Sequence, residues 1–538
     1  MMLGRRALLR AGGAGGAVLL AGRGAAAAAP PRDLLVQAMA FDDVISLDPA
    51  EAFEIATAEV HGNTYERLLR IEPGDPRRLA GVLARDWRVA ADGRGYRFEL
   101  RDGLRFASGN GLTAEDVRFS LARAVKLDKA PAFILNQLGL TRDRVDAALG
   151  TDGPLALTLR TSEAFAPSFV LNCLSASVAS IMDRRLLLAH EVAGDLGHAW
   201  ARRHHAGSGP FLLRDWRANE ILTLDRNERY HGPRPALARV IYWHVKEATT
   251  QRLMLLKGDV DVARNLTPQD LDALADAPAI RITATPKGGI YYIGLNQKHP
   301  ILAKPAVREA FKWLVDYDAL GATLIRHIGR PWQNFLPAGL LGASDAMPFH
   351  QDIAKARALL AAAGLPDGFD ITMDVRSTQP DMGMAEAFQQ WAARAGIRIR
   401  LLPGDGKLTL TRYRARKHDL YLGDWSVDYW DPQSNAGAFA YNVDNGENPA
   451  TKPIAWRNAW DIPALSRETE AALMERDTAR RAAAYVRLQD EFRRSSPFVI
   501  LSQQTQVAAL RREVQGYALG PTSDNNLLAP VSKSGGGA

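Results

Sequence analysis

Two periodicities of apolar positions, one of two residues and one near 3.6, take turns along the chain, and the changeovers mark its elements. Leu34 to Ala40 reads as a first strand, Asp43 to Pro49 as a turn out of it, and Glu51 to Leu69 as a helix. Strict alternation in Tyr96-Arg-Phe-Glu-Leu100, facing Trp87-Arg-Val89 across an Asp92-Gly93 turn, predicts a hairpin within Leu79 to Leu100. Thr113-Ala-Glu-Asp116 has capping-box spacing, and Val117, Leu121, Ala124 and Val125 behind it form one apolar face. Leu155 to Leu159 alternates again. Beyond the break at Gly207-Ser-Gly-Pro210 the pattern turns strand-rich, at Phe211 to Leu213, Ile221 to Leu224 and Val240 to Val245.

Thr267-Pro268-Gln-Asp270 is a second helix start, with Pro at the first helical position. From Ile290 the elements alternate. Strand Ile290 to Leu295 precedes a helix from Pro305 carrying Val307, Ala310, Phe311 and Leu314, and a further helix spans Ala354 to Ala363 and stops at Gly364. Strand Ile371 to Val375, helix Met384 to Ala395, strand Ile397 to Leu401 and helix Leu410 to Lys417 follow. Helical spacing resumes from Pro463 to Phe492, and Phe498 to Leu501 reads as a buried strand. Such alternation predicts an α/β protein with at least one open sheet and no internal repeat.

The densest chemistry lies in Gly423-Asp-Trp-Ser-Val-Asp-Tyr-Trp-Asp-Pro432, at the end of the apolar run from Asp419 to Leu422. Trp425, Tyr429 and Trp430 stand among Asp424, Asp428 and Asp431, and Pro432 stops the ladder. Apolar walls with a fixed anion suit an ammonium, through charge-assisted hydrogen bonds and ring faces. The same residues also fit a strand end with core tryptophans and turn-capping aspartates.

At 538 residues the chain calls for two or three domains. Arg5, Arg6, Arg10 and Arg23 account for part of the +7 net charge; without them the 67 basic residues become 63, against 60 acidic ones. Near neutrality gives no electrostatic basis for nucleic-acid binding, and the densest basic run, Arg412 to Lys417, reads as a solvated helix face. Residues 1–29 read as an export signal: a twin-arginine-like charged region, a short apolar stretch from Ala11 to Ala21, and small residues from Ala25 to Ala29 as the cleavage zone. The mature protein is therefore expected to be soluble and periplasmic. Its one cysteine, Cys173, is expected to be a small buried apolar residue.

Nine segments, in order, carry a resemblance. They are Tyr65-Glu-Arg-Leu-Leu69, Leu83 to Gly93, Phe98 to Phe106 followed by Leu112-Thr-Ala-Glu-Asp-Val117, Gly207-Ser-Gly-Pro-Phe211, Arg226-Asn-Glu-Arg-Tyr230, Leu256 to Val262, Leu295-Asn296, Val307-Arg-Glu-Ala310, and Asp424-Trp to Asp431-Pro432. Together the chain resembles the family-5 solute-binding proteins of ABC importers, the dipeptide- and oligopeptide-binding group. The resemblance implies a two-lobed, hinged periplasmic binding protein fold of type II character, with two crossing strands and an additional small α+β domain. On this basis lobe I takes 33–62, 190–284 and 498–530, the small domain 63–189, lobe II 285–497, and 531–538 a disordered tail.

It also implies a function without chemistry: a monomer, free of cofactors, that captures a small peptide or similar zwitterion and delivers it to an ABC permease in the inner membrane. Relatives that carry nickel chelates, glutathione, opines or sugars keep a non-peptide ligand open. Asp428, three residues after Trp425, matches the position that holds a peptide's α-ammonium; Trp425, Tyr429 and Trp430 are the expected walls, and Arg376 the expected carboxylate partner. Leu422 stands where long-peptide binders carry an arginine, which weighs against long peptides. His190 to His198 lacks His-Glu-x-x-His, because Gly194 replaces the second histidine, and is expected to be a polar surface helix without metal. A secreted hydrolase is the competing class, but Gly-x-Ser-x-Gly and phosphate-binding motifs are missing; the near miss, Ala206-Gly-Ser-Gly209, better fits a turn.

Overall fold

The computed structural model describes residues 31–72 and 74–534. Two of its strands are long, Ile280–Leu295 at 16 residues and Phe498–Arg511 at 14. They pair antiparallel, from Ile280 opposite Arg511 to Gly294 opposite Phe498. Both belong to an eleven-stranded sheet and divide it. On one side Leu420–Ser426 pairs with Gly289 to Leu295, followed by Phe369–Arg376 and Ile397–Gly404. On the other side Val262–Ala263 pairs with Ala509 and Leu510, followed by Leu34–Met39, Arg239–His244, Ile221–Arg226 and Phe211–Arg217. The fold is thus α/β with two lobes, and the long strands are the crossing pair.

Each lobe buries its own core. Phe311, Met373, Phe388, Leu420 and Val499 pack together in one, Leu35, Leu224, Val240 and Leu510 in the other. Burial of this kind stabilises by about 25 cal/mol per Å² of apolar surface, so neither core depends on a disulfide. Cys173 is fully buried, and burial raises its pKa, as suits an inert apolar thiol. A separate four-stranded sheet, Ala84–Val89, Gly95–Leu100, Ala156–Arg160 and Leu149–Thr151, is covered by helix Ala114–Leu127, whose Thr113–Asp116 capping box forms. The second box, Thr267–Asp270, opens helix Pro268–Ala275.

Several expected elements differ. The first helix spans only Ile55–Thr64; beyond it Leu69–Glu72 pairs with Asp75–Gly81, so a tertiary partner overrides helical spacing. The run from Pro463 splits into Pro463–Met474 and Thr478–Ser495, because the Asp477 carboxylate caps the Arg480 amide at 2.8 Å. The polar stretch Ser502 to Gln506 hides the continuation of Phe498–Arg511, and Pro286 hides the start of Ile280–Leu295. Arg416 is buried over the Trp456 ring, 4.3 Å from its centroid, instead of lying on a solvated face. His190 to His198 is no helix; turns with positive φ at Ala193, Gly194, Leu196 and Gly197 precede helix His198–Ala201. Its histidines diverge: His190 stacks on Trp200 at 4.6 Å, and His198 Nδ1 lies 2.9 Å from Asp48.

The tail is ordered through residue 534, where a loose chain was expected. Ser532–Lys533 pairs with Val514–Gln515, and Val531 is fully buried. Residues 1–29, read from sequence as an export signal, and residues 535–538 lie outside the described residues. No described helix is long and apolar enough to cross a membrane.

Candidate functional site

Strand Leu420–Ser426 carries the aromatic–acidic segment to the crossing pair and releases it there. The Val427 amide still donates to Gly288 O at 2.9 Å, after which the chain turns into helix Pro432–Phe439. Asp431 caps that helix by accepting from the Gln433 amide at 3.0 Å. The turn is fixed from inside as well, since the Asp428 amide donates to Ser434 Oγ at 2.9 Å.

This turn forms one wall of a cavity of about 420 Å³. Across from it lie Phe53 to Ile55, Ser175 to Val178 and Pro521 to Asp524, so the cavity is closed by segments distant in sequence. Trp425, Asp428, Tyr429, Trp430 and Arg376 all line it. Their surroundings differ. Asp428 is half-buried, and among the described residues its carboxylate has neither a hydrogen-bond partner nor an ion pair. Burial pushes its pKa up to about 7, against a smaller downward pull from Arg457.

Trp425 is the most exposed of the rings, with Nε1 donating to Asn435 Oδ1 at 3.2 Å and its edge on Phe439. Tyr429 is mainly core: it packs on Phe169, its hydroxyl donates to Gln137 Oε1 at 3.1 Å, and it closes the apolar cluster of the small sheet. Trp430 is buried against the lobe core, and among the described residues its Nε1, Ser426 Oγ and Arg376 Nε have no hydrogen-bond partner.

Arg376 does not stand free. Its Nη1 lies 3.6 Å from Asp424 Oδ1, while Asp424 Oδ2 accepts from Gln504 at 3.2 Å. Nearby Asp381 is pushed up to about 7, by burial first and then by Asp424, with Arg376 opposing. Sequence reading missed Lys287, Phe53, Glu54 and Asp524. Only Lys287 carried a local signal, as the one charge within Pro286-Lys-Gly-Gly289 at a break in a strand.

The near miss of the nucleophile motif, Ala206 to Gly209, sets its serine on a carboxylate. Ser208 Oγ donates to Glu66 Oε2 at 2.8 Å, and among the described residues no histidine bonds to the hydroxyl. Its flanking glycines are needed for close passage: a Cβ on Gly207 would come within 2.3 Å of Thr64 O.

Among solved structures, a periplasmic binding protein DppA of Helicobacter pylori in complex with the peptide STSA matches with a TM-score of 0.79 at 23% identity, covering 93% of this chain and 98% of that one. A dipeptide binding protein of a Pseudoalteromonas species in complex with Met-Leu matches at 0.78 and 21%, covering 93% and 100%. These likenesses show the fold. In sequence, the probable D,D-dipeptide-binding periplasmic protein DdpA of Escherichia coli is 27% identical over 510 residues, 91% of this chain and 92% of its own length. The family model for bacterial extracellular solute-binding proteins, family 5, middle region, matches residues 78–447. A match over that share of the sequence, on a two-lobed fold with a cavity at its crossing strands, establishes that the chain belongs to the family-5 bacterial extracellular solute-binding proteins.

Proposed function

We propose that this chain is an exported, periplasmic binding protein of an ABC importer, which captures a di- or short oligopeptide between its lobes and delivers it to an inner-membrane permease. It acts as a monomer, without cofactor or chemistry. The relatives named for dipeptides support this reading, and the Asp428 carboxylate carries it. An anion left unpaired on a half-buried carboxyl is costly until a cation arrives, so a ligand ammonium gains a strong hydrogen-bonded pair there. Trp425 and the edge of Trp430 supply apolar wall, Tyr429 anchors the loop, and Arg376 with Asp424 forms a polar end.

We assign 33–62 and 190–284 to lobe I together with the chain from Ser502 to 530, 63–189 to the small domain and 285–497 to lobe II; Phe498 to Leu501, expected from sequence to return to lobe I, pack in the lobe II core. The changeovers at 284/285 and 501/502 fall on the crossing strands, close to the register break between Pro286 and Ile290 in one case. Bending there would close the lobes on the ligand.

The test is thermal shift of the refolded, ligand-stripped mature protein against dipeptides, tripeptides, glutathione, opines, sugars and nickel chelates. A ligand at 100 times its Kd adds about 2.7 kcal/mol. Stabilisation by peptides with a free amine, lost on N-acetylation and weakened by about 2–5 kcal/mol in Asp428→Ala, is the expected result. Stabilisation only by a sugar or a chelate would discard the peptide reading and keep the family.

A further inference from the structure

Five carboxylates and two cations line the cavity. Asp524 is held by Arg67, and Arg376 is offset by Asp424. Asp428, Asp43 and Glu54 then have no ion pair among the described residues, and on the cationic side Lys287 alone has none. Lys287 sits where the ladder between the crossing strands breaks, between Pro286 and Ile290. Its carbonyl is fixed by Gln503 Nε2 at 3.0 Å, but its ammonium has no acceptor among the described residues. The half-buried side chain borders both this cavity and a second of about 320 Å³, which shares Asp43 and Ile55 with it.

A half-buried ammonium without a counter-ion is as unfavourable as the bare carboxylate of Asp428. Burial lowers the Lys287 pKa, with Asp424 acting the other way. The two unpaired charges do not serve each other: Arg457 is the cation whose field bears on Asp428. Yet they share one wall, since Gly288, next to Lys287, bonds to Val427, next to Asp428. A guest carrying both signs would compensate both.

We infer that Lys287, and not the Asp424-bound Arg376, recognises the ligand's carboxylate, so that the ligand is a zwitterion spanning Asp428 and Lys287 along the hinge. This assignment rests on the peptide reading above and names the group at its other end. Arg376 and Asp424 then form a net-neutral polar wall. Asp43 and Glu54, whose pKa values burial raises, face the same space from lobe I and add no cation.

Calorimetric titration with Met-Leu, its C-terminal amide and its N-acetyl form separates the two ends. With wild-type protein, amidation should weaken binding roughly 30-fold or more. In Lys287→Met the free acid and the amide should bind alike, while the acetylation penalty persists; Lys287→Arg should restore the discrimination. If amidation still weakens binding to Lys287→Met, or if that variant loses acid and amide equally, the assignment is wrong. Loss of discrimination in Arg376→Gln with Lys287→Met unaffected would return the role to Arg376. Amidation and Lys287 effects without an acetylation penalty would sink the Asp428 reading and leave Lys287 standing. A wild type that binds none of the three probes would overturn both.

Discussion

Arg481 grips Asp431 with a two-pronged ion pair, Nη1 2.9 Å from Oδ2 and Nη2 2.7 Å from Oδ1, and both side chains are almost wholly excluded from solvent. The same guanidinium donates to Ser168 Oγ at 2.9 Å and to Ala472 O at 3.2 Å. Asp431 ends the turn that presents Asp428. The pair therefore ties the cavity-lining turn to helix Thr478–Ser495 and to the segment around Ser168 at once. A well-hydrogen-bonded buried pair adds little net stability, but removing one partner strands the other charge. Arg481→Met is expected to lower unfolding free energy by about 3–5 kcal/mol, read by urea denaturation. Arg481→Met combined with Asp431→Asn should recover part of that loss. A single variant with wild-type stability would show that the pair is not what fixes the turn.

Two side chains packed on the Gly288 backbone shape the other side of the turn. A Cβ on Gly288 would lie 2.5 Å from Val427 Cγ2 and 2.9 Å from Trp430 Cζ3. Gly288→Ala must push the crossing strand away from the turn, and overpacking of this kind costs about 1–3 kcal/mol. Ligand affinity should fall with it, because Asp428 and Trp430 shift together. Gly74→Ala is the comparison, since its Cβ would meet nothing within 4 Å; its positive φ makes it a purely local strain. Thermal unfolding and peptide titration of the two variants give the answer: loss of affinity in both would remove the argument from packing.

Local pattern explains what could be read in advance. The hairpin Ala84–Val89 with Gly95–Leu100 and the capping boxes at Thr113 and Thr267 depend on neighbours in sequence, and the structure forms them where the spacing predicts. The aromatic–acidic cluster from Trp425 to Trp430 could also be singled out because its members are adjacent. What faces it could not. Phe53, Ser177 and Asp524 reach the cavity only through the topology of the sheet, and Lys287 depends on a register break. The crossing strands themselves were half hidden, because a strand that passes a cleft is polar where it passes. Ser502 to Gln506 breaks the apolar run for that reason.

The end of the chain offers a sharper test of long-range packing. Lys533 Nζ lies 2.8 Å from Asp261 Oδ1, and both side chains are almost fully buried. Asp261 Oδ2 accepts from the Val36 amide at 2.8 Å, so the tail is pinned to two strands of lobe I. Lys533→Met should leave a buried carboxylate without its cation and destabilise by about 3–5 kcal/mol. Lys246→Met, at an exposed lysine, should be near neutral. Guanidinium titrations that found the two variants equally stable would mean that Lys533 does not hold the tail.

The raised pKa of Asp428 fixes the sign of two pH effects. Its carboxyl moves from 3.8 to about 7 on folding, chiefly through burial. Between those values the folded chain binds more protons than the unfolded one, so this group makes the ligand-free protein less stable as pH rises from about 4 to about 7. Asp381 contributes in the same direction over the same window. Binding runs the opposite way. An ammonium needs the ionised carboxylate, so affinity should climb as pH rises through the Asp428 pKa, then decline as the peptide's own amine loses its proton near pH 8. The expected gain is roughly fivefold between pH 6 and pH 7.5, measured by calorimetry with a dipeptide. Asp428→Asn should bind weakly and show no rise, whereas Asp381→Asn should keep it. A rise that survives in Asp428→Asn would assign the titration, and with it the ammonium, to another carboxylate; Asp424, beside Arg376, would then be the first to replace.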